Sequence, residues 1–190
     1  TKNPISESRR KFLNQINAAE DSWISPQEWN LACRTEESLR LQPGTRITMG
    51  FDGSKSNDWT ALVACRVSDG FLFLLGAWDP KKCPGEEIDR EMVDAVVRSA
   101  KEKYDVVGFR ADVREFESYV DSWGQLFKRS VKVNASPANP VAFDMRGNTK
   151  KFALDCERFS DAVLSVDEAL GEYPIAHDGT FPLPAAQIDP

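Results

Sequence analysis

The chain has 190 residues, of which 41% are hydrophobic and 28% are charged, so one domain with a substantial core is expected. Its formal net charge of −6 argues against nonspecific coating of nucleic acid, although an acidic metal site surrounded by local basic patches remains compatible with it. The four cysteines are scattered and form no CxxC pair, so the sequence predicts a reduced intracellular protein without a zinc site. No apolar run is long enough to cross a bilayer, so no membrane segment is predicted.

Residues 1–44 are predicted to form a helix and an aromatic arm that pack on the domain. Within residues 8–20, three apolar side chains recur at helical spacing: Phe12, Leu13 and Ile16. The arm that follows carries Trp23 and Trp29. Pro43-Gly44 is a turn signal, so the main domain is predicted to span residues 45–170.

Three strand-like runs follow, at about 45–52, 60–67 and 70–78. Asp69-Gly70 favours a tight hairpin between the second and third runs, which predicts an antiparallel meander. The first strand ends at Asp52, and a turn rich in Gly, Ser and Asn leads to Asp58. An Asp at either place can make the turn or supply a ligand, and the local sequence leaves both interpretations open.

The second half of the chain alternates between helical and strand-like patterns. Apolar residues from Ile88 to Ala100 recur at helical spacing, and the next strand, 105–112, again ends in an acid, Asp112. A helix at 115–128, a fifth short strand at 130–134, a helix at about 149–165 and an irregular tail at 171–190 complete the prediction. The last helix is expected to bury four side chains: Phe152, Cys156, Phe159 and Val163.

The resulting order, β-β-β-α-β-α-β-α, predicts an α/β fold with a mixed five-stranded sheet and helices on both faces. This is the order of the ribonuclease H-like fold, in which the first and fourth strands are neighbours. Asp52 and Asp112 would then end adjacent strands, and their carboxylates could lie within roughly 5–6 Å of each other, given a strand spacing of ~4.8 Å.

Two carboxylates so close repel each other unless a cation lies between them. Oxygen ligands suit Mg²⁺ or Mn²⁺, and two such ions can activate water and stabilise the leaving oxygen in phosphodiester cleavage. The sequence therefore predicts a metal-dependent nuclease in which Asp52 and Asp112 are catalytic metal ligands. Asp58 would either cap the turn or, without binding the metal itself, orient a water or a metal ligand through a hydrogen bond.

The segment Phe51–Val63 resembles the opening of the nuclease domain of large terminase subunits from tailed bacteriophages, particularly those that infect actinobacteria. Other segments are similar to landmarks of that family in the same order: Arg9–Gln15, Glu20–Trp23, Trp29, Phe143–Arg146, Glu157–Phe159 and Ala176–Gly179. The resemblance covers about residues 8–180. It implies a ribonuclease H-like endonuclease that cuts concatemeric double-stranded DNA with Mg²⁺ or Mn²⁺.

In that family the nuclease works in the host cytoplasm beside an ATPase domain, a small terminase subunit and the portal. This sequence has no G-x-x-x-x-G-K-[ST] phosphate loop, so the resemblance makes it the nuclease part alone, a fragment that is expected to be monomeric in isolation. Four cations near the acids are predicted to contact DNA: Lys55, Arg110, Arg114 and Arg146.

By position, the resemblance assigns the first two metal carboxylates to Asp52 and Asp112, and Asp58 matches an acid of the same motif. The family's third acid is the point of departure, because Ala186–Pro190 matches its late motif poorly and Pro190 does not continue a helix. Asp178 is the predicted third ligand. The alternatives are Asp189, Asp155, Asp161 or no third acid at all.

Two other functions compete with the nuclease. An actin-like ATPase half also places Asp-Gly-Ser after its first strand, but this chain lacks the required second half. A non-catalytic fragment that binds DNA or the portal would need no complete metal site. His177, the only histidine, is expected to be structural, and the five tryptophans are expected to pack in the core or the arm.

Overall fold

The computed structural model describes residues 26–56, 58–164 and 175–181. Within these ranges the chain forms four helices and four strands: α1 (Pro26–Leu31), β1 (Arg46–Asp52), β2 (Thr60–Arg66), β3 (Leu72–Trp78), α2 (Arg90–Lys103), β4 (Asp105–Ala111), α3 (Glu117–Phe127) and α4 (Thr149–Leu164). The helix predicted at 8–20 lies outside the described residues. No helix in the described ranges combines the length and the apolar character that a bilayer crossing requires.

The four strands form one mixed sheet in the order β3-β2-β1-β4. β1 pairs antiparallel with β2 and parallel with β4, and β2 pairs antiparallel with β3. The predicted meander and the predicted neighbourhood of the first and fourth strands are both confirmed. The ends of β1 and β4 that carry the acids therefore lie at the same edge of the sheet.

The fifth strand predicted at 130–134 is wrong. Val133 makes only an isolated parallel bridge with Gly108 of β4, and Ala142 makes another with Ala111. Between these bridges the chain turns back on itself, since the amide of Ala135 donates to the carbonyl of Pro140. The two prolines of this stretch have no N–H to donate to a neighbouring strand, so a continuous ladder does not form.

The core lies on one face of the sheet, between the strands and helices α2 and α3. Alternate residues of β1 point into it: Ile47, Met49 and Phe51. The ring of Phe51 meets Phe116 and Trp123 edge to face, at centroid distances of 4.9 and 5.1 Å. Trp123 is fully buried, and its indole N–H donates to the Asp94 carboxylate over 2.7 Å, so its one polar atom is satisfied.

Helix α4 covers the opposite face only loosely. Phe152 and Phe159 remain 40% and 38% exposed, and Cys156 is exposed as well, so their predicted burial is wrong. A cavity of 390 Å³ separates these side chains from the strands, where Gly50 and Ala61 contribute little volume. The helix is tied to the sheet by a 2.6 Å ion pair between Arg110 and Asp155.

Residues 175–181 run beside the start of β3. His177 is buried there, with its ring stacked on Trp29 at a centroid distance of 4.1 Å. The Gly179 amide donates to Nδ1, so Nε2 carries the ring hydrogen and donates to the Trp29 carbonyl over 2.9 Å. Nε2 thus joins this segment to α1 and Nδ1 makes a turn contact within the segment, which agrees with the expected structural role of His177.

Candidate metal centre and DNA-cleavage site

The carboxylates of the first and fourth strands leave the sheet side by side. The amide of Asp112 donates to the carbonyl of Phe51 over 3.0 Å, which continues the parallel pairing of β1 and β4 by one residue. Asp52, Asp112 and Asp58 line one open cavity of 380 Å³. Its other lining residues are Gly53, Ser54, Trp59, Arg114, Glu115 and Met145.

The three acids act on one another electrostatically. The pKa of Asp52 is raised above its usual range, foremost by partial burial and then by the negative charges of Asp112 and Asp58. A hydrogen bond from the Gly53 amide opposes this shift in part. Asp52 therefore carries a charge that its surroundings do not compensate, and a bound divalent cation would compensate it.

The turn between β1 and β2 is held by hydrogen bonds within its own sequence. The buried hydroxyl of Thr60 accepts from the Ser54 amide and donates to the Ser54 carbonyl, over 3.0 and 2.9 Å. Asp58 accepts from the Trp59 amide over 2.7 Å. Asp58 thus makes a turn contact and also faces the acidic cavity, so the two interpretations of this residue are compatible.

Glu115 is a site residue that the sequence did not reveal. It has a left-handed backbone, with φ of 63°, which is strained for a residue with a side chain. Its carboxylate accepts from the Lys55 amide, and its carbonyl accepts from the Arg90 guanidinium over 3.0 Å. These contacts hold the segment after β4 against the turn after β1, and no local sequence signal marks them.

The four predicted DNA-contacting cations differ in how strongly they are already engaged. Lys55 pairs with Glu87 at 3.0 Å, and Arg110 pairs with Asp155 at 2.6 Å. Arg146 lies 3.4 Å from Asp144. Arg114 lies 3.9 Å from Glu115, is 63% exposed and lines the acidic cavity, so its charge is the most available of the four to an incoming phosphate.

Asp178 is not brought to the other acids. Its carboxylate accepts from the amide and the hydroxyl of Thr180, and the neighbouring residue His177 bridges to Leu72 at the start of β3. Counting strands across the sheet and residues along β1, Asp178 lies on the order of 20 Å from Asp52. The structure therefore gives no support to Asp178 as the third ligand.

Of the two alternatives for the third acid that the structure describes, Asp155 and Asp161, Asp155 shares a cavity with the pair. It lines the 390 Å³ cavity under α4 together with Asp52 and Asp112. Asp161 is exposed on the same helix, and Asp189 lies outside the described residues. Across the part of the chain that the structure describes, no group of three or more His, Cys, Asp or Glu side chains is arranged as a metal site.

The donors that the structure does bring together fit a hard divalent cation. Asp52, Asp112 and Asp58 offer carboxylate oxygens, the ligands that Mg²⁺ and Mn²⁺ prefer. No thiolate or imidazole lines the cavity, and the thioether of Met145 is a soft donor that hard cations do not favour. Partial burial first, and the negative charges of Asp112 and Asp58 second, raise the pKa of Asp52, and a bound cation would offset both effects. If Asp52 and Asp112 alone were the protein ligands of a cation, its other coordination positions would be open to water and to phosphate oxygens.

Two bacteriophage proteins are similar to this chain. One is the "Gene 13 protein" of Mycobacterium phage L5, 64% identical over 189 residues, and the other is the "Gene 13 protein" of Mycobacterium phage D29, 62% identical over the same length. Each match covers 94% of this chain and 30% of the relative. No family model and no solved structure matches. The relatives support a bacteriophage origin for the chain.

Gly53 is predicted to be required for the packing of the turn after β1. A methyl group there would lie 2.7 Å from the buried rings of both Phe51 and Phe116. Gly53→Ala should therefore lower the free energy of unfolding by about 1–3 kcal/mol, measured by urea denaturation. Gly50→Ala is the matched control, because a methyl group at Gly50 meets nothing within 4 Å. Equal costs for the two variants would contradict this packing.

The charge of Asp52 is predicted to destabilise the metal-free protein. Because its pKa is higher in the folded state, the folded protein holds more protons, so stability falls as pH rises from about 3.9, the usual Asp pKa, through the raised value. In EDTA at neutral pH, Asp52→Asn should raise the melting temperature by a small amount, equivalent to less than about 1 kcal/mol after solvent screening.

This gain in melting temperature should shrink as the pH is lowered towards the usual Asp pKa. Asp121→Asn removes an exposed carboxylate on α3, remote from the cavity, and serves as the control. A decrease in melting temperature for Asp52→Asn in EDTA would mean that the carboxylate is stabilised by contacts other than a cation.

Proposed function

We propose that this chain is a metal-dependent DNA endonuclease domain of the ribonuclease H-like type, from a phage DNA-packaging terminase. The observation that carries the proposal is the placement of Asp52 and Asp112 at the ends of neighbouring parallel strands, facing one cavity. The strand order β3-β2-β1-β4 and the terminase-like segment Phe51–Val63 support it. The two phage relatives support only the bacteriophage origin.

In the proposed reaction, Asp52 and Asp112 would hold one or two Mg²⁺ or Mn²⁺ ions. When bound, such an ion would supply activation of water and neutralisation of the negative charge that develops in phosphodiester cleavage. Asp58 adds negative charge that favours cation binding, and Glu115 keeps the turn against the end of β4. Arg114, at the rim, attracts the phosphate backbone without reading the base sequence.

Asp155 is the proposed third acid in place of Asp178. In the structure its carboxylate is paired with Arg110, so ligation by Asp155 would require that Arg110 release it. The released guanidinium of Arg110 would then be available to bind a DNA phosphate. Asp155 would thus act as a metal ligand and Arg110 as a DNA contact in the same rearrangement.

The two phage relatives are long enough to hold further domains, since this chain matches 30% of each. We propose that the nuclease operates beside a terminase ATPase domain, a small terminase subunit and the portal, in the host cytoplasm during phage assembly. The isolated domain is proposed to be a monomer that binds double-stranded DNA.

A non-catalytic terminase fragment is the second candidate function. The observation in its favour is that no group of three acid or imidazole ligands is assembled in the described ranges. Such a fragment would bind DNA or the portal through the same face but would not cut DNA in any metal.

Plasmid cleavage separates the two candidates. The chain should nick or linearise supercoiled DNA in Mg²⁺ or Mn²⁺ and not in EDTA, and Asp52→Ala and Asp112→Ala should each reduce the rate by at least about 100-fold, because each removes a direct metal ligand. Asp178→Asn should cut at the wild-type rate. Asp155→Asn should be impaired and its helical neighbour Asp161→Asn should not.

Cleavage that survives Asp52→Ala would rule out the proposed site. DNA binding without cleavage in either metal would favour the non-catalytic fragment. Cleavage that is lost in Asp178→Asn and kept in Asp155→Asn would reverse the assignment of the third acid.

A further inference from the structure

The rim of the acidic cavity carries a partly exposed tryptophan. Trp59 was expected to pack in the core, but its side chain is 43% exposed and lines the cavity beside Asp52, Asp58 and Asp112. The large core aromatics behave differently, since Trp123 and Phe116 are fully buried. Its position at the cavity, rather than its exposure alone, gives the indole of Trp59 a role, because a large aromatic face there can pack against a ligand that enters the cavity.

A lysine with an available charge lies next to this indole. The pairing of Thr60 with Trp78 brings the turn after β3 beside Trp59, and the Lys82 Nζ lies 5.8 Å from the indole centroid. Lys82 is 79% exposed, and its nearest carboxylate, on Asp79, is 4.0 Å away. Its ion pair is therefore longer than that of Lys55 with Glu87, and its exposed ammonium group can meet a phosphate.

The positions of these residues define a path along one edge of the sheet. From β3 to β4 the edge presents Lys82, Trp59, Asp52 and then Asp112 with Arg114, so the acids lie between two cations. Three β-strand spacings of ~4.8 Å make this edge about 14 Å long. One strand of a DNA duplex rises ~3.4 Å per nucleotide, so the edge matches roughly four nucleotides. A DNA strand that crosses the edge would meet a cation on each side of the acids.

We propose that Trp59 and Lys82 form a DNA-strand-binding surface, which fixes the strand on the β3 side of the acidic cavity. Lys82 binds a backbone phosphate, and the exposed part of Trp59 packs against the adjoining sugar or base, while Arg114 binds the strand beyond the acids. This inference rests on the proposed nuclease function and adds the residues that position its substrate. The contact is sequence-tolerant, because every nucleotide offers a phosphate and an apolar ring face.

DNA affinity tests this surface. Binding of a labelled duplex and of a single strand is measured in Mg²⁺ with an Asp112→Asn background, so that cleavage does not interfere. Trp59→Ala should raise Kd by about 5-fold or more, while Trp59→Phe should keep most of the affinity because it keeps an aromatic face. Lys82→Ala should weaken binding and reduce the salt slope of log K by about 1.

Lys103→Ala is the matched control, because Lys103 is an exposed lysine at the opposite end of the sheet, where Asp105 pairs with Arg46. In the chain with Asp112 intact, Trp59→Ala and Lys82→Ala should raise KM for DNA more than they lower kcat. Melting temperatures are compared throughout, and Trp59→Phe together with Lys82→Ala carries the test if Trp59→Ala does not fold.

The outcomes separate this inference from the nuclease proposal. If the unsubstituted chain cuts DNA and the Trp59 and Lys82 variants bind as tightly as Lys103→Ala, the strand-binding surface is wrong and the nuclease stands. If Trp59→Phe binds as weakly as Trp59→Ala, the aromatic contact is wrong. If the unsubstituted chain neither binds nor cuts DNA in either metal, both proposals fall.

Discussion

The parallel pairing of β1 with β4 is the constraint on which the candidate site depends. It brings the C-terminal ends of two strands, which are more than fifty residues apart in the sequence, to the same edge of the sheet. An Asp lies at each of these two ends. The pairing continues through the Asp112 amide to the Phe51 carbonyl, so the two acids are fixed relative to each other by the sheet itself. The pKa of Asp52 is raised there, first by its partial burial and then by the negative charge of Asp112 beside it.

The surrounding residues maintain this arrangement from both sides. Gly53 fits between the rings of Phe51 and Phe116, which belong to the core, and Glu115 accepts from the Lys55 amide across the gap. The turn that carries Asp58 is thereby tied to the hydrophobic core as well as to the end of β4. The opposite face of the sheet is less tightly packed, since α4 stands off from it over an apolar cavity and is held by the Arg110–Asp155 pair.

Much of the fold could be predicted from the sequence because its signals are local. Alternating apolar residues located β1 to β4 to within one or two residues, and the element order predicted that β1 and β4 are neighbours. The prediction of a fifth strand was wrong because the alternation of Val131 and Val133 indicates a strand but does not indicate that the chain then turns away from β4. The predicted burial of Phe152 and Phe159 was wrong because helical periodicity shows which face of a helix is apolar and does not show how closely that helix approaches the sheet.

The site was predictable only in part, for a similar reason. Asp52 and Asp112 follow strands and were visible in the sequence, whereas Glu115, Trp59 and Lys82 gain their positions from contacts between separate segments. Asp178 lies in Ala176–Gly179, a segment similar to a terminase landmark, and its distance from the pair follows from the sheet order, which that short segment does not contain.

Binding of Mn²⁺ followed by electron paramagnetic resonance tests most directly whether Asp52 and Asp112 form a cation site. The free-ion signal should fall on addition of the protein, and Asp112→Asn should weaken binding by at least about 10-fold, while Asp178→Asn should leave it unchanged. Mn²⁺ that binds equally well to the protein and to Asp112→Asn would contradict a metal site at the paired ends of β1 and β4.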